Sequence, residues 1–116
     1  MADIVVYHNP NCGTSRSVLE ILADRGVDVE VVQYLKTPLT KTQLEVIVNA
    51  IDVEPSELVR DDNRFKELGL SKADYVTAKA VVALLLEHPE LMQRPIAIKG
   101  KQVVLARPKD KINALI

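Results

Sequence analysis

The chain up to Tyr34 leaves little choice of architecture. Ile4-Val5-Val6-Tyr7 is a short β-branched run that ends at the turn formers Asn9-Pro10-Asn11. Thr14–Arg25 follows with Val18, Ile21 and Leu22 at the spacing of one helical face, and Gly26 is a natural stop. Val29–Tyr34 is a second, valine-rich strand. Strand, helix and strand within about 30 residues form a βαβ unit, whose strands must be parallel and joined by a right-handed crossover.

Beyond it the pattern turns helical. Thr40 caps a helix carrying Leu44, Ile47, Val48 and Ile51 on one face. Pro55 opens a short turn through Leu58, because proline suits the first helical position. Arg60–Lys66 holds five charges in seven residues and reads as surface. Ser71 and Asp74 resemble a capping box, ahead of a helix over Thr77–Glu87 with Val81, Leu84 and Leu85 inward. His88-Pro89 ends that helix, since the residue before a proline avoids helical backbone. Pro95–Ile98 and Gln102–Ala106 are strands joined at Gly100-Lys101, where glycine first suits a type II′ hairpin. Pro108 or Lys109 starts a last helix reaching Leu115. This order predicts a single α/β domain of thioredoxin-like plan over residues 1–116. Its four-stranded mixed sheet has flanking helices, and a helical insertion separates the βαβ unit from the C-terminal β-hairpin.

Composition removes whole classes of function. With 116 residues there is room for one core, and about two-thirds of the unfolded surface can be buried. Fifteen basic against 16 acidic side chains give a net charge of −1, and aromatics are only 3%. Neither a basic footprint nor stacking platforms for nucleic acid exist. The longest apolar run, Ala80–Leu86, is seven residues, against about 20 for a membrane helix. Ala2-Asp3 supplies no positive start for a secretory signal. A soluble cytoplasmic protein, monomeric and without membrane contact, is the expectation.

Cys12 is the single cysteine, so no disulfide can form within the chain. A lone cysteine is often a small buried hydrophobe. Its position points elsewhere: it lies between the first strand and the first helix, where the N–H groups of Gly13, Thr14 and Ser15 are unpaired donors. These favour negative charge and should make the thiol more acidic. Gly13 would let a reactant approach, and the Ser15 or Thr14 hydroxyl could donate to a thiolate. Arg16 opposes the helix dipole from the first turn, so it either lowers the thiol pKa, meets an anion or is simply solvated. His8 could pair with Cys12 or could bond to backbone at its strand end. His88 reads as a favourable C-terminal helix residue.

One cysteine and two histidines give no metal spacing, so no metal site and no bound cofactor are expected. There is no G-x-G-x-x-G, Walker or H-E-x-x-H motif. A phosphatase loop is also absent, because Val18 stands where its arginine would be. Arg94-Pro95 and Arg107-Pro108 are more telling. Each following ring fixes its arginine in extended backbone. One arginine enters the predicted hairpin and the other leaves it, so they should lie side by side. Paired guanidinium forks suit a tetrahedral oxyanion, although either arginine alone would pass as surface.

At these residues the chain resembles the glutaredoxin-coupled arsenate reductase family. The segment from His8 through Asn9-Pro10-Asn11-Cys12-Gly13-Thr14-Ser15 to Arg16 matches that family's signature closely. Leu58-Val59-Arg60, Glu67-Leu68-Gly69-Leu70, Arg94-Pro95-Ile96 and Arg107-Pro108 also fall where the family has them, and the likeness runs from Ile4 to Pro108. The resemblance implies Cys12 as nucleophile, Arg60, Arg94 and Arg107 as an oxyanion cradle, and a cis peptide before Pro95. It implies arsenate as substrate, glutathione as co-substrate and glutaredoxin as the recharging protein. Ser15 stands where a second, resolving cysteine would be. Two rival functions remain: a glutathione-dependent thiol–disulfide oxidoreductase, which would need Cys12 without the arginines, and a non-catalytic regulator of the same fold.

Overall fold

Five residues, Ile4–His8, all buried but the half-buried Val5, make the central strand β1 of the computed structural model, which describes residues 2–116. Helix α1 (Gly13–Asp24) follows, then strand β2 (Val29–Gln33), parallel to β1 with Ile4 opposite Val29 and His8 opposite Gln33. Strands β3 (Ile96–Lys99) and β4 (Gln102–Leu105) form an antiparallel hairpin, and β3 also runs antiparallel to β1. The sheet order is β2-β1-β3-β4. That mixed sheet, parallel on one side of β1 and antiparallel on the other, is the thioredoxin-like arrangement. At the hairpin tip Gly100 has φ +60° while Lys101 stays negative, as a type II′ turn requires.

The chain divides into two compact units: that up to Thr37 together with Arg94–Ile116, and Pro38–Gln93. The core of the first joins Ile4 and Val6 of β1, Val18 and Leu22 of α1, Ala97 of β3 and Val104 of β4 with Ile112 and Leu115. The last two come from the expected last helix, Lys109–Leu115, which winds as a 3-10 helix. Gly26, at φ +67°, turns the chain out of α1 in a conformation costly for any residue with a Cβ.

The second unit is the expected helical insertion: α2 (Lys41–Ala50), α3 (Asn63–Glu67) and α4 (Ala78–Glu87). Thr40 caps α2 in a full capping box with Gln43. Two readings are corrected. The charged stretch Arg60–Lys66 is not plain surface: Asp62 caps α3 by accepting from the Phe65 N–H, and Phe65 is buried against Tyr75 at 6.1 Å between ring centres. Ser71 makes no side-chain cap, and Asp74 ends a short 3-10 turn; Thr77 caps α4 instead, accepting from Ala80 N–H. No described helix is long and apolar enough to cross a membrane.

Candidate active site

The loop after β1 is tied by its own polar groups. Asn9 offers its backbone carbonyl to Cys12 N–H (3.0 Å) and its Oδ1 to Asn11 N–H (2.9 Å), an Asx turn that delivers Cys12 to the N-cap of α1. Ser15 is fully buried one turn later. Its Oγ accepts from Asn9 N–H at 3.2 Å and lies 2.6 Å from His8 Nδ1.

This corrects the expectation for the Ser15 hydroxyl. It is occupied with His8 and Asn9, and what Ser15 gives the thiol is its backbone N–H. His8 is likewise bonded to a side chain rather than to backbone. Burial and then the charge of Arg16 hold the His8 pKa below its ordinary value, so the ring is neutral near pH 7. The buried Ser15 proton needs an acceptor, which Nδ1 provides, leaving the imidazole proton on Nε2. Arg16 itself is exposed and donates through Nη1 to the Pro10 carbonyl at 2.8 Å, closing the loop from its far side. A Cβ on Gly13 would meet only Arg16, at an ordinary 3.8 Å, and Thr14 is half-buried beside it.

The hairpin brings up the two proline-flanked arginines. Ile96 pairs with Leu105, and Ala106 N–H extends the ladder to the Pro95 carbonyl at 3.0 Å, so the strand ends meet side by side. Both Arg94–Pro95 and Arg107–Pro108 peptides are cis. One amino nitrogen of Arg107 donates to the Arg94 carbonyl (2.9 Å) and to Cys12 Sγ (3.6 Å). The Arg94 guanidinium also acts on the thiol by hydrogen bond and charge, while its Nε is buried without a partner. Burial pushes the Cys12 thiol up, but the Ser15 N–H, Arg94 and Arg107 outweigh it and set the pKa below the ordinary value. Both guanidinium groups act on the sulfur and favour its thiolate form.

Arg60 belongs to the second unit, where its Nε bonds Asp62 Oδ2 at 3.0 Å and its N–H bonds the Leu91 carbonyl at 2.8 Å. His88 lies at the end of α4 with Nδ1 3.4 Å from Glu90. Asn9 and Asp62 escaped the sequence reading as anything more than turn or surface residues. Each did leave a signal: an asparagine before proline in an Asx position, and an aspartate three residues ahead of a buried aromatic.

The family model described as "ArsC family" matches residues 7–115. The chain is 34% identical over its whole length to an arsenate reductase of Neisseria meningitidis, whose whole length is also covered. It is 34% identical to an arsenate reductase of Escherichia coli K12, covering all of this chain and 82% of that protein. Among solved structures, an arsenate reductase from Vibrio cholerae superposes with a TM-score of 0.85 at 29% identity, covering 99% of this chain and 98% of that one.

Proposed function

The chain belongs to the ArsC family, and from that membership and the Cys12 site we propose that it reduces arsenate to arsenite. The observation that carries this reading is a thiol of lowered pKa between two guanidinium groups, one with a buried Nε still able to donate. Arsenate is a tetrahedral oxyanion, and planar guanidinium forks bind such groups through paired hydrogen bonds. Arg94 and Arg107 offset the charge that would otherwise repel an anion from a thiolate.

The thiolate of Cys12 attacks arsenic and one oxygen leaves as water. Reduction from arsenic(V) to arsenic(III) takes two electrons, which two sulfurs supply by ending as a disulfide. Cys12 is the only thiol in the chain, so the second must come from outside. Glutathione, abundant in the reducing cytoplasm, adds to the arsenic; arsenite leaves and Cys12 remains as a mixed disulfide with glutathione. Glutaredoxin then takes the glutathione and restores the thiol. A monomer suffices for the nucleophile and its two partners, since Cys12, Arg94 and Arg107 come from one chain.

The test is an arsenite-formation assay with glutathione and glutaredoxin together and with each omitted, using Cys12→Ser as blank. Arsenite should accumulate catalytically only in the complete mixture. Absence of arsenite there, alongside turnover of glutathionylated substrates, would make the protein a thiol–disulfide oxidoreductase instead.

A further inference from the structure

We propose that Arg16 is a binding residue for the thiol co-substrate, holding the glycyl carboxylate of glutathione beside Cys12. This rests on the reading of glutathione as the second thiol. A cation in the first turn of α1 opposes the helix dipole, so Arg16 calls for a reason of its own. The Cys12 thiol draws its stabilisation from the Ser15 N–H, Arg94 and Arg107, which leaves the charge of Arg16 without a task at the sulfur. No carboxylate neutralises it either: among the described residues none lies within salt-bridge distance of Arg16. The side chain is nevertheless held. Its Nη1 donates to the Pro10 carbonyl at 2.8 Å, and Pro10 lies inside the turn closed by Cys12 N–H on the Asn9 carbonyl. Its other amino nitrogen, Nη2, is 3.8 Å from where a Cβ on Gly13 would stand. The guanidinium therefore lies over the residue next to the nucleophile, and both Arg16 and Gly13 are exposed.

Three properties of this arrangement suit the carboxylate of an incoming thiol. Arginine has five N–H donors, and the single bond to Pro10 leaves the edge of Nε and Nη2 free to take both carboxylate oxygens. The same bond restricts a side chain with many rotamers, so less entropy is lost when a ligand arrives. The reach also fits. The glycyl carboxylate of glutathione is one residue from the sulfur-bearing cysteine, roughly 4–7 Å at about 3.3–3.6 Å per residue. Arg16 Nη2 likewise stands over the residue adjoining Cys12. Oxygens on an arsenic bonded to the sulfur fall instead to Arg94 and Arg107, which act on Sγ itself.

The test needs no arsenate. The Cys12 thiolate attacks one sulfur of oxidised glutathione and the S–S bond breaks; one glutathione leaves as thiolate while the other stays on Cys12. Oxidised glutathione esterified at its glycyl carboxylates reacts in the same way without the negative charge there. Intact mass against time gives both rates, and their ratio cancels any change in the reactivity of the thiol. The parent should prefer the free acid about fivefold, the upper range for an exposed ion pair, and less so at high salt. Arg16→Gln should lose that preference. No preference in the parent would overturn the proposal. So would a preference kept in Arg16→Gln, including the case in which both reactions slow equally and Arg16 only straps the loop. A parent that forms no arsenite yet shows the Arg16-dependent preference would lose the arsenate reading and keep the glutathione site.

Discussion

His8 Nδ1 sits 2.6 Å from Ser15 Oγ, with both side chains buried, and this pair rather than a cysteine–histidine contact fixes the loop beneath the nucleophile. The histidine is neutral, so it adds no positive charge to the thiolate. Its effect is steric and directional: it holds Ser15 so that the backbone N–H of that residue meets the sulfur. The charge comes from the other end of the chain, from Arg94 and Arg107.

Ser15→Ala therefore leaves a buried imidazole nitrogen and the Asn9 N–H without their partner. Stability should fall by about 1–3 kcal/mol, the usual cost of orphaned buried polar groups. Urea unfolding monitored by circular dichroism measures it. Thr14→Ala, one residue away and half-buried, is the comparison, and should cost less than about 1 kcal/mol.

The Cys12 thiol should titrate below the free value of about 8.5. Thiolate absorbance in the ultraviolet, followed against pH with Cys12→Ser as blank, reads this directly. With a lowered pKa the rate of the first step rises with pH through that value and is flat above it. A midpoint at or above the free value would mean that burial outweighs the arginines.

Replacing either proline-flanked arginine by lysine keeps the charge and loses the fork. Arg107→Lys also forfeits the shared donor to Cys12 Sγ and the Arg94 carbonyl. We expect kcat/KM for arsenate to drop at least about tenfold in Arg94→Lys and in Arg107→Lys. The thiolate pKa should rise in both, and the fold should survive. Phosphate and sulfate should compete with arsenate in the parent, measured as an increase in KM.

Intact-mass analysis after a single turnover should find glutathione on Cys12, removed on adding glutaredoxin. The chain has one cysteine, so no internal disulfide can stand in for it. Sustained turnover with thioredoxin alone would contradict this route even with arsenate as the substrate.

Acid should weaken the second unit through Asp62 and Glu90. Burial raises both carboxyls, but Asp62 is lowered by the Phe65 N–H and Arg60, and Glu90 by Arg64, with a net depression in each. A depressed folded-state pKa stabilises above the unfolded value, and that contribution disappears as pH falls through the folded value. The Tm difference between the parent and Glu90→Gln should accordingly shrink from about pH 5 to about pH 3. A difference that is constant over this range would assign the effect to packing.

Some of this was legible residue by residue, because the forces involved act over a few positions. The β-branched run Ile4–Tyr7, the helical face of Val18 and Leu22, the cap at Thr40 and the glycine at the hairpin tip each depend on neighbours within about one turn. So does the placing of Cys12 at the start of α1, and so does the backbone preference before Pro95 and Pro108. The buried position within Arg60–Lys66 leaves no pattern in the sequence, because a single aromatic among charges has no periodicity; Phe65 is inside only because Tyr75 and the rest of its unit surround it. The partners of the polar groups were out of reach for a related reason. Ser15 had donors and acceptors to offer either to the sulfur or to His8, and the buried space beside β1 settled the matter. Arg107 meets a cysteine 95 positions away because β3 lies antiparallel to β1 and carries the hairpin ends to the first loop. Pairing at that range depends on chain topology and the burial of a whole sheet face, and neither is encoded in any window of neighbouring residues.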